Sequence, residues 1–383
     1  MENVNFVPTA EHIIIRYYPK YSTLRAMTND MIANLTIDPN NVHTVNVYID
    51  LYRMLLSIYH REGARVKNYT EITSAVINMC AHIRAFYKNS YGVHTKIFIV
   101  YNNYVDIGAE LWQSRFIKDY NIDAETSMRR STTIRGIILN NIPLIRALCE
   151  SIYDVYFVER PVESMVVIYD LINKEKDPNI PHIIFSFCPI SIQLPAMCNN
   201  TFIFRVSKNW EKDSNGQKVP VDYFTVISKR NALIEFVSNS RNFMVSEKLL
   251  PMLEKINPEL LSFFIILAGV KRKEKNIVKL MNIDKLCELL YEAITINPSL
   301  NRYNEDIEEL YNAMKLYKLI KAIDLNILKY KFKAIDLIYN YGVYKSTTFY
   351  LDDSYLINIE DSKTMKQINQ EYFKDNPLDL ERL

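Results

Sequence analysis

Apolar and polar positions follow two rhythms along this chain. Four short runs are apolar nearly throughout: Val45–Ile49, Lys96–Tyr101, Val155–Val158 and His182–Phe187. They are rich in Val, Ile, Phe and Tyr, as strands buried on both faces are. Between them the apolar residues recur at helical spacing. Leu51 to Tyr59 is one such stretch. Thr70 to Tyr87 is another, with Ile72, Val76, Met79, Ile83 and Phe86 on one face. A third helix ends near Leu148. Pro161 and Glu163 open a fourth, which contains Met165, Val166, Ile168, Leu171 and Ile172. Strand and helix in regular alternation predict a parallel sheet with helices on both faces. Ahead of it, His12–Tyr18 reads as an edge strand and Tyr21–Leu35 as a helix stopped by Asp38-Pro39-Asn40-Asn41.

After residue 200 the texture changes. Phe202–Val206 and Tyr223–Ile227 flank Asp213-Ser214-Asn215-Gly216, a strong turn signal, and predict an antiparallel hairpin at the sheet edge. From Ser246 onward the pattern is helical: Leu249–Leu253, Glu259–Ala268, Ile283–Ile294, then the long, lysine-rich stretch Asn304–Tyr339. In that stretch Tyr311, Tyr317, Tyr330 and Tyr339 read as packing residues rather than stacking platforms. The expected organisation is an α/β domain over residues 1–245 and a helical region over 246–383 that packs on it.

With 383 residues, 49% of them hydrophobic, the chain can bury a large core. Its 46 basic and 44 acidic side chains nearly balance, so any nucleic-acid footprint must be local. Two local clusters qualify. One is Lys271, Arg272, Lys273 and Lys275; the other is Arg129, Arg130 and Arg135. Each also suits a solvated surface. The five cysteines are scattered and frame neither a zinc motif nor a disulfide pattern, which points to buried thiols in a reducing compartment. Charged and polar residues interrupt the first twenty positions, and no run has the length of a membrane span, so a soluble intracellular protein without a membrane partner is expected. Abundant Ile, Asn, Lys and Tyr fit an AT-rich coding sequence, as in many viral and phage genomes. The six histidines show no metal-binding spacing, no Gly-x-Ser-x-Gly elbow occurs, and seven glycines leave little for a phosphate-cradling loop.

Asp50 closes the first central strand and precedes a helix. Such an Asp either caps the helix or places an acid at the carboxyl edge of a parallel sheet. In four places the chain resembles the FEN-like 5′-nuclease family, the flap endonucleases and phage 5′–3′ exonucleases with a PIN-like sheet. Val47–Tyr59 is similar to that family's opening strand, Asp and helix. Ile97–Asn102 is similar to its second strand. Val158–Ile168, with His182–Leu194, is similar to its Glu-bearing helix and the strand that leads to Gln-Leu, here Gln193-Leu194. Phe263–Val278 is similar to its Leu-Ala-Gly-Asp segment and DNA-gripping helix–turn–helix.

The resemblance implies two Mg²⁺ ions about 4 Å apart, held by clustered carboxylates. Here Asp50 and Glu163 match two of those acids. Tyr101 or Asn102 stands at the second Asp, Met165 and Val166 at the paired Asp, Cys188 and Ile190 at the next two, and Val270 at the last. Apolar replacements are hostile to hydrated Mg²⁺. The expectation is therefore a catalytically inactive 5′-nuclease-like protein without cofactor or metal, Asp50 and Glu163 being remnants. It is expected to bind DNA or RNA phosphates, or partner proteins of a viral or phage replication, transcription or assembly machinery, in the host cytoplasm or a viral replication compartment. Two alternatives stay open: an active Mg²⁺-dependent nuclease with fewer carboxylates, and a purely structural interaction protein.

Overall fold

The computed structural model describes residues 19–52, 54–55, 69–102, 142–149, 151–160, 164–186, 189–212, 218–241, 247–261, 264 and 283–301. In chain order its strands are β1 (Thr44–Asp50), β2 (His94–Asn102), β3 (Val155–Arg160), β4 (His182–Phe185), β5 (Thr201–Lys212) and β6 (Lys218–Ile227). The helices are α1 (Tyr21–Ala33), α2 (Tyr69–Tyr91), α3 (Ser164–Lys174), α4 (Gln193–Met197), α5 (Ala232–Arg241), α6 (Leu250–Leu253) and α7 (Ile283–Ile296), with a further helical segment at 142–149.

The four apolar runs lie in one sheet of order β3-β2-β1-β4-β5-β6. All pairs are parallel except β5–β6. β1 sits at the centre because it is buried along almost its whole length. Its odd positions Val45, Val47 and Ile49 join a core with α1, α2 and the 142–149 segment. On the other face Tyr48 joins a core built by α3, α4 and α5, and this core extends to Leu253 of α6 and Leu290 of α7. The helices after residue 246 thus share a hydrophobic core with the sheet. Each fully buried Leu or Ile there contributes roughly 1.5–3 kcal/mol.

Some boundaries differ from the sequence reading. The predicted Thr70–Tyr87 helix extends to Tyr91, where Gly92 stops it at φ +66°, its N–H donating to the Lys88 carbonyl. β4 ends at Phe185, before the 3-10 turn Pro189–Ile192. The hairpin is longer than its apolar ends, and β5 also joins the sheet as the parallel neighbour of β4. The predicted strand His12–Tyr18 and helix Asn304–Tyr339 lie outside the described residues. Among the described residues no helix is long and apolar enough to cross a membrane.

Candidate functional site

The strand order reverses at β1: β2 lies on one side and β4 on the other. In open parallel sheets the crevice for ligands opens at such a point, beyond the carboxyl ends of the strands. The registers define which residues line that edge. Asp50 stands beside Val100, and Val100 beside Val158. Ser186 follows the Ile49–Phe185 pair by one residue, and Arg205 follows the Ile184–Ile203 pair by two. Arg205 in turn faces Thr225 of β6. The row across the edge therefore runs Val158, Val100, Asp50, Ser186, Arg205, Thr225.

Asp50 is 1% exposed and Ser186 is 2% exposed. The Ser186 hydroxyl donates to Asp50 Oδ2 at 2.9 Å. Arg205 Nε donates to the Ser186 carbonyl at 3.4 Å, and its Nη2 donates to Ser191 Oγ at 3.2 Å. Ser191 lies in the Pro189–Ile192 turn, and Gln193 begins α4; both are buried. Glu235 comes from the first turn of α5. Burial pushes its carboxyl up from the ordinary range, and the positive charge of Arg205 pulls it partly back. A buried carboxylate is costly unless hydrogen-bonded and compensated by charge. Ser186 supplies the bond, and Arg205 supplies a cation on the same face of the same row.

Among the described residues no second acid stands in this row, and Glu163 lies outside them. Tyr101 is buried in the core of the opposite face. Glu159 also reaches this edge, but its register partner is Tyr101, and it pairs with Arg146, whose guanidinium lies 5.3 Å from the Phe157 ring centre. Met165 in α3 is buried in the apolar core on Asp50's face. The row thus offers one carboxylate, two hydroxyls, one guanidinium and two valines. Mg²⁺ demands a near-octahedral set of hard oxygen donors, and these side chains do not fit it. Among the described residues no three His, Cys, Asp or Glu side chains group to hold a metal.

A second polar cluster occupies the other end of β1 on the same face. Asn46 donates to Glu175 Oε2 at 3.1 Å, and Tyr48 OH shares a hydrogen bond with His182 Nδ1 at 3.1 Å. Phe98 stacks on Tyr48 with ring centres 5.1 Å apart. Burial drives the His182 imidazole down to about 4, against the raising effect of Glu175, and pushes the Tyr48 phenol up. Burial raises Glu175 too, but the Asp177 N–H, Asn46 and the Lys176 N–H outweigh it and hold the carboxyl low.

Of the residues predicted from sequence, the structure places Asp50 at the carboxyl end of β1. Gln193-Leu194 opens the short α4. Glu163, Cys188, Val270, Arg129, Arg130, Arg135, Lys271, Arg272, Lys273 and Lys275 lie outside the described residues. Ser186 and Arg205 are the partners that sequence reasoning missed. The only local signal was polarity directly after an apolar run: Ser186 after Ile183–Phe185 and Arg205 after Phe202–Phe204. A comparison with protein-family models and with curated proteins finds no match for the chain.

Proposed function

We propose that this chain is a PIN-like relative of the 5′-nucleases that does not cut and acts by binding nucleic acid along the carboxyl edge of its sheet. The observation that carries the reading is the Asp50 row. An acid ends the central strand where the resemblance implies a metal ligand, yet its neighbours are Val100, Ser186 and Arg205. Removing charge partners from a two-metal site costs orders of magnitude in rate. A guanidinium in the same row opposes the gathering of divalent cations and suits an anion. Phosphate contacts are assigned to Lys271, Arg272, Lys273 and Lys275, with Arg129, Arg130 and Arg135 as a second cluster. The setting is a viral or phage replication, transcription or assembly machinery, where partner proteins are the other candidates for the same edge.

Gel shifts with single-stranded, duplex and 5′-flap DNA over a salt series, run beside a cleavage assay in Mg²⁺, test this. The expected result is a salt-sensitive shift without cleavage, because counterion release drives phosphate binding. Cleavage would establish the active nuclease instead. Neither shift nor cleavage would remove nucleic acid as a partner and leave the protein-interaction reading.

A further inference from the structure

β6 runs antiparallel to β5, so it ends at the amino edge of the sheet, the far end from Asp50. There a cavity of about 500 Å³ opens between three elements. Asn34 comes from the residue that follows α1. Ser228, Arg230 and Asn231 come from the turn between β6 and α5, and Ile234 from the first turn of α5. Glu254 comes from the end of α6. A volume of this size suits a small-molecule ligand.

The turn is held from within. Asn231 Oδ1 accepts from the Ser228 N–H at 2.7 Å and from the Ser228 hydroxyl at 3.3 Å, and its amide donates to the Val226 carbonyl at 2.9 Å. These bonds fix the backbone on both sides of Arg230. Across the cavity Asn34 Nδ2 donates to the Asp30 carbonyl at 2.8 Å, which leaves Asn34 Oδ1 as an acceptor at the wall. Two opposite charges, Arg230 and Glu254, line the cavity, yet neither forms an ion pair. Their chain neighbours do find partners. Lys229 Nζ lies 2.9 Å from Glu259 Oε1, and Lys255 Nζ lies 5.6 Å from the Tyr291 ring centre. The lining thus presents one cation and one anion that do not meet, with polar neutral groups and one apolar side chain, Ile234, between them.

We propose that this cavity binds a small zwitterion of the α-amino-acid class. The Arg230 guanidinium takes the carboxylate through paired N–H bonds. The ammonium group turns to Glu254, with Asn34 Oδ1 and the Ser228 hydroxyl oxygen as further acceptors, because an ammonium donates three bonds. Ile234 gives an apolar side chain a surface to cover. One charge of each sign in the ligand matches one of each sign in the lining. A nucleotide fits less well, since its phosphate brings extra negative charge to a single guanidinium in a cavity that also holds Glu254. The site lies at the opposite edge from Asp50 and is independent of the nucleic-acid reading.

The test is calorimetric titration of the full chain with leucine, beside leucinamide and N-acetylleucine, which each lack one of its two charges. Leucine is expected to bind saturably, and each of the other two about tenfold more weakly, the loss of one charge-assisted contact. Arg230→Met is expected to weaken leucine about tenfold and to erase its advantage over leucinamide. Glu254→Gln is expected to erase its advantage over N-acetylleucine. Both side chains are exposed and hold no ion pair, so unchanged melting temperatures are expected and are measured alongside. No saturable binding of leucine, equal binding of all three probes, or wild-type affinity in both variants would overturn the proposal. AMP is titrated in the same way, and binding of AMP that depends on Arg230 while leucine fails to bind would overturn it in favour of a nucleotide site.

Discussion

The two ends of β1 carry polar groups on the same face of the same strand, and they are built differently. At the amino end Asn46, Tyr48, His182 and Glu175 are neutral or hydrogen-bonded within a small cluster, and burial keeps His182 uncharged. At the carboxyl end Asp50, Arg205 and Glu235 bring ionisable groups to the point where the strand order reverses, and the Ser186 hydroxyl donates to Asp50. Burial alone does not mark a site, since both clusters are buried. What separates them is a guanidinium set among acids at the point where the strand order reverses. The amino end can be explained by fold stability, because every strong hydrogen bond there ties a strand to its neighbour or to the end of α3. At the carboxyl end charge is retained where apolar side chains would pack more cheaply.

The largest expected effect belongs to the amino end. His182→Ala should cost roughly 3–4 kcal/mol in urea unfolding, because it opens a cavity and strips the buried Tyr48 hydroxyl of its partner. Nucleic-acid binding by the folded fraction should not change. A loss of binding without a loss of stability would erase the distinction between the two ends.

Acid should act through the same residue. His182 titrates near 6.5 when unfolded and about 4 when folded. The unfolded chain therefore takes up the proton first as pH falls. The stability from the neutral imidazole is complete above pH 6.5 and is lost between 6.5 and about 4, on the order of 3 kcal/mol. The low carboxyl of Glu175 adds a loss in the same direction at still lower pH. Unfolding free energies across this range should fall accordingly, and His182→Gln, which cannot gain the charge, should flatten the pH 6.5–4 portion. An equal slope in both proteins would assign the effect elsewhere.

At the carboxyl end Arg205→Met should cost about 2 kcal/mol, since it removes charge-assisted hydrogen bonds to the Ser186 carbonyl and Ser191. Asp50→Asn should cost less, about 1 kcal/mol or below, because an amide oxygen still accepts from Ser186. In the double mutant Asp50→Asn/Arg205→Met the losses should be smaller than their sum, the sign of charges that compensate each other. Strict additivity would mean that Arg205 does not serve Asp50.

The sheet was legible because its strands are apolar at both parities, which only strands covered on two faces require. The row around Asp50 was not. Ser186 lies 136 residues from Asp50, and only parallel register places them side by side. The full reach of the β5–β6 hairpin escaped for a related reason. Ser207, Lys208 and Asn209 break the apolar pattern after Val206, while cross-strand pairing with Tyr223, Asp222 and Val221 carries β5 onward. That Met165 and Val166 offer no hard oxygen donor to a divalent cation is legible from identity alone, because packing cannot change it.

The central claim is that the carboxyl edge is a binding surface rather than a metal-dependent catalytic centre. Calorimetric titration of the full chain with Mn²⁺, wild type beside Asp50→Ala, tests it most directly. The account predicts no saturable binding that depends on Asp50, in either protein. Saturable Mn²⁺ binding by the wild type that disappears in Asp50→Ala would contradict it and restore the active nuclease.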